Sequence, residues 1–211
     1  MLSPEQALQR LKDGNRSFRS NDHLEINVGS ISRKQLVSAQ SPFAIILGCS
    51  DSRVPAELIF GQGLGDLFVI RVAGNIVAPS QIGSIEFAAE QFGTRLVVVL
   101  GHSNCCAVAA TVEQLQQHTD NRSPNLHAIV ARISPAVKSL VEFDAELNNG
   151  VSSSTITDEL LSQAVRSNIE TSVAKLYEGS EILKSLIRND NMHIVGAEYL
   201  LESGKVEFFD S

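Results

Sequence analysis

Cys49, His102 and Cys105 carry the strongest potential for chemistry in this 211-residue chain. Each stands just past a short apolar run: residues 43–47 lead through Gly48 to Cys49, and residues 96–100 lead through Gly101 to His102, with Cys105 close behind. Two thiolates and an imidazole form a donor set for Zn(II), with Zn–S about 2.3 Å and Zn–N about 2.0 Å. Three protein ligands leave a fourth tetrahedral position for water or substrate. Beside the first candidate ligand, Cys49-Ser50-Asp51-Ser52-Arg53-Val54 sets an acid and a base two residues apart. Free cysteine is also common as a small buried side chain at strand ends, and an Asp–Arg pair at a strand–helix turn is also an ordinary surface ion pair. Residue type and spacing leave these alternatives open.

Residues so far apart in sequence meet only if the chain between them folds back. Apolar runs at 43–47, 67–72 and 96–100 lack alternation, as buried parallel strands do. Helical patterns at 55–60 and 80–92 separate them, the second stopped by Gly93. This alternation predicts an α/β fold with right-handed crossovers, a mostly parallel central sheet of about four strands flanked by helices. A late strand at 192–200 turns at Glu202-Ser203-Gly204-Lys205 into 206–209, an antiparallel C-terminal edge strand. Longer helical stretches cover about 105–147 and 155–189, split by the polar loop 148–154. At the other end, Ser3-Pro4-Glu5-Gln6 predicts a capping box with proline at the first helical position. Ala7, Leu8, Leu11 and Phe18 give that helix its apolar stripe. The polar stretch 20–41 reads as an arm of an N-terminal helical segment rather than a linker, so 1–211 is taken as one domain. In open α/β sheets ligands bind beyond the carboxyl ends of the strands, where strand order reverses. Cys49, His102 and Cys105 would fall on that rim.

Composition narrows the function classes. With 43% apolar and 19% charged residues the chain can bury a substantial core. A net charge of −7 argues against a nucleic-acid partner and against an anionic membrane surface. No apolar run approaches the roughly 20 residues that span a bilayer. Leu2-Ser3-Pro4-Glu5-Gln6 after Met1 is not a basic segment followed by an apolar one, so no secretory signal is expected. An odd count of 3 cysteines fits free thiols or metal ligands in a reducing compartment, and the expected location is cytoplasmic. Absence of Trp disfavours a carbohydrate or base-stacking platform. His23, His118, His127 and His193 are read as surface or core residues.

Cys-Ser-Asp-Ser-Arg-Val at 49–54, with Gly-His-Ser-Asn-Cys at 101–105, resembles the β-class carbonic anhydrases. The resemblance continues through residues 3–11 with Gly14-Asn15-Arg16, then 68–75, 83–88, 195–199 and Gly204-Lys205-Val206, which is nearly the whole chain. It implies one Zn2+ per subunit on Cys49, His102 and Cys105. The implied reaction is reversible hydration of carbon dioxide to bicarbonate and a proton, through zinc-bound hydroxide. Asp51 takes the place of the carboxylate that orients that hydroxide, and Arg53 that of its partner. A guanidinium holds a carboxylate bidentately and keeps it ionised. In some members the aspartate closes onto zinc at low pH, which would make Asp51 a metal ligand in that state.

Gln40 matches a substrate-binding glutamine, and Phe68 and Phe87 match positions lining an apolar pocket, suited to a small uncharged substrate. On the sequence alone ordinary core packing accounts for both Phe residues. Two positions depart from the family pattern. Cys106 stands where relatives usually have Gly, and is not expected to be a ligand. Ile46 stands where allosterically inhibited members carry Trp, although Arg71 and Tyr199, other parts of that bicarbonate pocket, are present. An open site near neutral pH is therefore expected, with water rather than Asp51 on zinc. The resemblance also implies a homo-oligomer, dimer or dimer of dimers (a tetramer), with residues 1–41 packing on a partner subunit. Two other functions remain. One is carbonyl sulfide or carbon disulfide hydrolysis on the same fold, hinted at only by Cys106. The other is a non-catalytic zinc-binding protein, against which the Asp51–Arg53 pair argues.

Overall fold

The computed structural model describes residues 2–20, 34, 36–117, 123–147 and 156–209. His23, His118, most of the 20–41 arm and the 148–154 loop lie outside the described residues. Five strands form one sheet: β1 (Ala44–Gly48), β2 (Leu67–Arg71), β3 (Leu96–His102), β4 (His193–Tyr199) and β5 (Val206–Phe208), in the order β2-β1-β3-β4-β5. The first four run parallel, and β5 is the antiparallel edge. Every residue of β1 and β3 is buried, which is why Ala-Ile-Ile-Leu and Leu-Val-Val-Val-Leu show no alternation. Alternate side chains still go to opposite faces. Ile45, Leu47, Val97 and Val99 join one core cluster, and Ala44, Ile46, Val98 and Leu100 join the other.

Helices cover both faces. They are α1 (Pro4–Ser20), α2 (Ala56–Ile59), α3 (Pro79–Gln91), α4 (Cys106–Gln117), α5 (Pro124–Leu147), α6 (Asp158–Glu178) and α7 (Glu181–Asn189). Each long helical stretch expected from periodicity is two helices here. Ser123 accepts the Leu126 N–H at the start of α5 (3.3 Å), with Pro124 at the first helical position. Gly179 ends α6, and Ser180 caps α7 by accepting the Leu183 N–H at 3.1 Å while donating to Glu86. Ser-Pro and Gly-Ser are local stop and start signals that a hydrophobic period runs straight through. Among the described residues no helix is long and apolar enough to cross a membrane.

The N-terminal capping box forms as expected. Ser3 Oγ accepts the Gln6 N–H (3.3 Å), and Gln6 Oε1 accepts the Ser3 N–H (2.9 Å). α1 buries Ala7 and Leu11 in the second core cluster. At Gly14 a Cβ would sit 1.8 Å from the Phe60 carbonyl oxygen, so only glycine lets α1 approach this closely. The next residue, Asn15, is buried and acts as a clasp. Its Nδ2 donates to the carbonyls of Ile59 (3.2 Å) and Gly204 (2.9 Å), and its Oδ1 accepts the Val206 N–H (2.9 Å). One amide thus joins α1, α2 and the β4–β5 turn. Asn15→Leu strands buried backbone groups and is expected to cost about 1–3 kcal/mol. Urea unfolding should show a lower midpoint at unchanged slope, and an unchanged midpoint would remove Asn15 as a clasp.

Candidate metal centre

From β1 the chain steps outward to β2, then returns past β1 to β3. Strand order therefore reverses between β1 and β3, which leaves a crevice at their carboxyl ends. The register pairs Gly48 with Leu100, so both loops leave the sheet at the same level. Cys49 follows β1, His102 ends β3, and Cys105 directly precedes α4. One donor atom from each of these three buried residues lies within 4.8 Å of the others, and the set could hold a metal ion.

The electrostatics of this cage invite a cation. Cys49 is held well below the ordinary thiol range, first by the Cys105 thiol, then by the His102 ring beside it, and last by the Gly74 and Asp51 backbone N–H groups, all against the opposing effect of burial. The Gly74 N–H lies 3.4 Å from the Cys49 sulfur. Cys105 is pushed the other way, because its proton is shared with Cys49 and its side chain is buried. The two buried sulfurs are thus driven in opposite directions by each other. His102 Nδ1 is 2.9 Å from the Ser103 carbonyl, whereas its buried Nε2 has no hydrogen-bond partner. With Nδ1–H donating to that carbonyl, the Nε2 lone pair is free for a metal.

Asp51 lies beside the cage but is committed elsewhere. Arg53 Nε donates to Asp51 Oδ1 (2.9 Å) and Arg53 Nη2 to Oδ2 (2.7 Å), while the Arg53 backbone N–H reaches Oδ1 (2.9 Å). The bonds from the Arg53 side chain, more than any other cause, hold the Asp51 carboxyl well below the usual carboxylate range. Its Oδ2 stands 3.9 Å from His102 Nε2. Arg71, at the end of β2, donates to the Cys49 carbonyl (3.0 Å) and to the Asp51 carbonyl (2.6 Å). Three strand ends therefore converge on the loop that carries Cys49 and Asp51.

The expected pocket residues gather in a neighbouring patch. Phe68, Phe87 and Phe92 form a ring cluster with centroids 5.9–6.4 Å apart. Gln40 is exposed and lines a cavity of about 610 Å³ with Leu36, Val37, Leu64 and Phe92. Among the described residues lining that cavity, none belongs to the cage. Cys106 is exposed at the first residue of α4. Ile46 is buried on the face of the sheet that packs α1, as is Tyr199, whose ring lies 6.5 Å from that of Phe18.

Sequence reasoning missed two supports of the site. Arg71, which the resemblance assigns to a bicarbonate pocket, also braces backbone carbonyls, a role that its place in the sequence does not signal. Asn168 was not singled out, although its Nδ2 donates to the Gly74 carbonyl at 2.9 Å. The available signal was a polar residue within the buried α6 stripe of Ala164, Val165 and Ile169.

Comparison with known proteins agrees with this architecture. A family model described as carbonic anhydrase matches residues 44–206. Carbonic anhydrase of Mycolicibacterium smegmatis is 37% identical over 205 residues, covering 97% of this chain and 93% of that protein. Carbonic anhydrase 2 of Mycobacterium tuberculosis is 33% identical over 210 residues, covering 99% and 94% respectively. Among solved structures, one of two tetrameric β-carbonic anhydrases from Sordaria macrospora shares the fold, with a TM-score of 0.69 over 94% of this chain and 91% of that one, at 23% identity. The family match spans both loops of the cage, and the chain belongs to the β-class carbonic anhydrases.

Proposed function

We propose that this chain is a zinc enzyme that hydrates carbon dioxide to bicarbonate and a proton, and catalyses the reverse. The observation that carries the reading is an ionised, arginine-held carboxylate placed 3.9 Å from the unpartnered nitrogen of a buried Cys–His–Cys cage. The donor set fits the metal: two buried sulfurs and one imidazole nitrogen without a hydrogen-bond partner would suit Zn(II), and three protein ligands would leave a fourth position for water or substrate. When bound, Zn(II) supplies the Lewis acidity that makes water a nucleophile near neutral pH. Held by Cys49 and Cys105 as thiolates, such an ion would be neutralised and would acidify water less than a tri-imidazole zinc.

The chain's own groups make up that deficit. Asp51 is acceptor-only when ionised. It takes a hydrogen bond from the attacking oxygen and so turns that oxygen's lone pair toward the substrate carbon. Arg53 engages both Asp51 oxygens and keeps the carboxylate off the cage, so the open position stays available near neutral pH. Arg71 fixes the backbone on both sides of Ser50. Gln40 opens away from the cage of its own chain, so in the proposed oligomer it serves as an amide donor across the subunit interface, where Phe68 and Phe87 supply an apolar wall suited to a small uncharged molecule.

Exposed Val37, Leu64 and Phe87 on the Gln40 side, 46–85% accessible, support a homo-oligomer. A dimer or a dimer of dimers is proposed, with residues 1–41 packing on a partner and 1–211 acting as one domain. Reduced cysteines in the cage fit a cytoplasmic enzyme.

The deciding experiment is stopped-flow carbon dioxide hydration by zinc-loaded protein, with carbonyl sulfide in parallel. Fast hydration of carbon dioxide is expected. Turnover of carbonyl sulfide alone would reassign the substrate, and no turnover of either would leave a zinc-holding protein. Cys49→Ser and His102→Ala should bind far less than one zinc per chain and lose activity together. Arg53→Ala should keep its zinc yet lose about 10²-fold or more in kcat/KM. Unchanged rates in the Arg53 variant would contradict the dyad.

A further inference from the structure

Asn168 is 2% exposed and lies in the buried stripe of α6, between Val165 and Ile169. A polar side chain in such a place destabilises the fold unless it is hydrogen-bonded. Its Nδ2 meets the Gly74 carbonyl at 2.9 Å. Gly74 occupies the short 3-10 turn Ala73–Asn75 with φ 69° and ψ 21°, and Asn75 follows at φ 43°. At the other end of the same glycine, the N–H points at the Cys49 sulfur, 3.4 Å away.

Glycine has the least restricted backbone of any residue, so residue 74 does not by itself hold this left-handed pose. A stiffer residue would be strained at this positive φ, and its Cβ would also crowd Ile133 Cδ1 (2.8 Å) and the Ala107 Cβ (3.2 Å). The pose is held from outside. The Asn75 N–H bonds to the Val72 carbonyl at 3.0 Å, and Asn168 grips the Gly74 carbonyl.

We propose that Asn168 is a positioning residue for the metal cage: by clamping the Gly74 carbonyl it keeps the Gly74 N–H on the Cys49 sulfur. That N–H draws electron density from the sulfur and aims its remaining lone pairs into the cage. Outer groups of this kind set ligand orientation and metal affinity. The helix that covers one face of the sheet thereby tunes a ligand carried at the end of β1. This inference rests on the zinc reading of the cage.

The test compares four proteins: the unaltered chain, Asn168→Leu, Asn168→Ser and Asn15→Leu. Each is titrated with Zn(II) against a competing chelator, and with Co(II) to read the thiolate-to-cobalt charge-transfer band. Both Asn168 variants should bind Zn(II) about 10-fold or more weakly. Their Co(II) bands should move to longer wavelength, because a sulfur relieved of its hydrogen bond gives up an electron more easily. Asn15→Leu should lower the unfolding midpoint and move neither readout. If the leucine variant does not fold, the serine variant, which leaves room for water on the Gly74 carbonyl, gives the same comparison. Unaltered affinity and band in a folded Asn168 variant would overturn the assignment. So would an equal loss of affinity in Asn15→Leu, which would make the effect one of general stability. Failure of the unaltered chain to take up Zn(II) would overturn the metal reading itself, an outcome distinct from equal uptake by all four proteins.

Discussion

The site depends on parallel pairing between β1 and β3. Cys49 and His102 are far apart in sequence, and only the register that sets Gly48 against Leu100 brings their loops off the sheet side by side. Closing that separation costs chain entropy, which grows slowly with loop length. Burial of both strands on both faces supplies the opposing free energy. A slip by one residue would send every side chain of one strand to the opposite face and misplace its ligand. The apolar monotony of these strands is therefore the first requirement of the chemistry.

A second requirement is that the loops beyond the strands hold still. Cage atoms sit on irregular backbone, and that backbone is braced from three directions. Arg71 reaches across from β2 to the carbonyls of Cys49 and Asp51. Asn168 reaches from α6 to Gly74. On the His102 side, the Ser103 N–H bonds to the Tyr199 carbonyl and Ser103 Oγ accepts the Leu201 N–H, both at 3.0 Å, which ties this loop to the end of β4. These braces act on main-chain groups, so each fixes a side chain it does not touch.

Much of this was legible in the sequence, for identifiable reasons. Buried parallel strands advertise themselves as unbroken apolar runs, and Ser3 to Gln6 spells its own cap. The three cage residues stand out through the motifs around them, Cys-Ser-Asp-Ser-Arg-Val at 49–54 and Gly-His-Ser-Asn-Cys at 101–105, since free cysteines at strand ends are by themselves ordinary core. Helix ends inside 105–147 and 155–189 were harder to see, since Ser123-Pro124 and Gly179-Ser180 interrupt an apolar period without changing it. The braces were least legible. Arg71 and Asn168 act through long-range contacts with backbone, and nothing in residue type distinguishes such a contact from a surface charge or a tolerated polar residue in a helix. The place of Gln40 was likewise not fixed by spacing: in this chain it opens on a cavity beside Phe92 and not on the cage.

X-ray absorption at the zinc edge on the purified protein tests the central claim most directly. The account predicts a shell of two sulfurs near 2.3 Å and lighter nitrogen or oxygen scatterers near 2.0 Å. A shell of nitrogen and oxygen alone, or of four sulfurs, would contradict it.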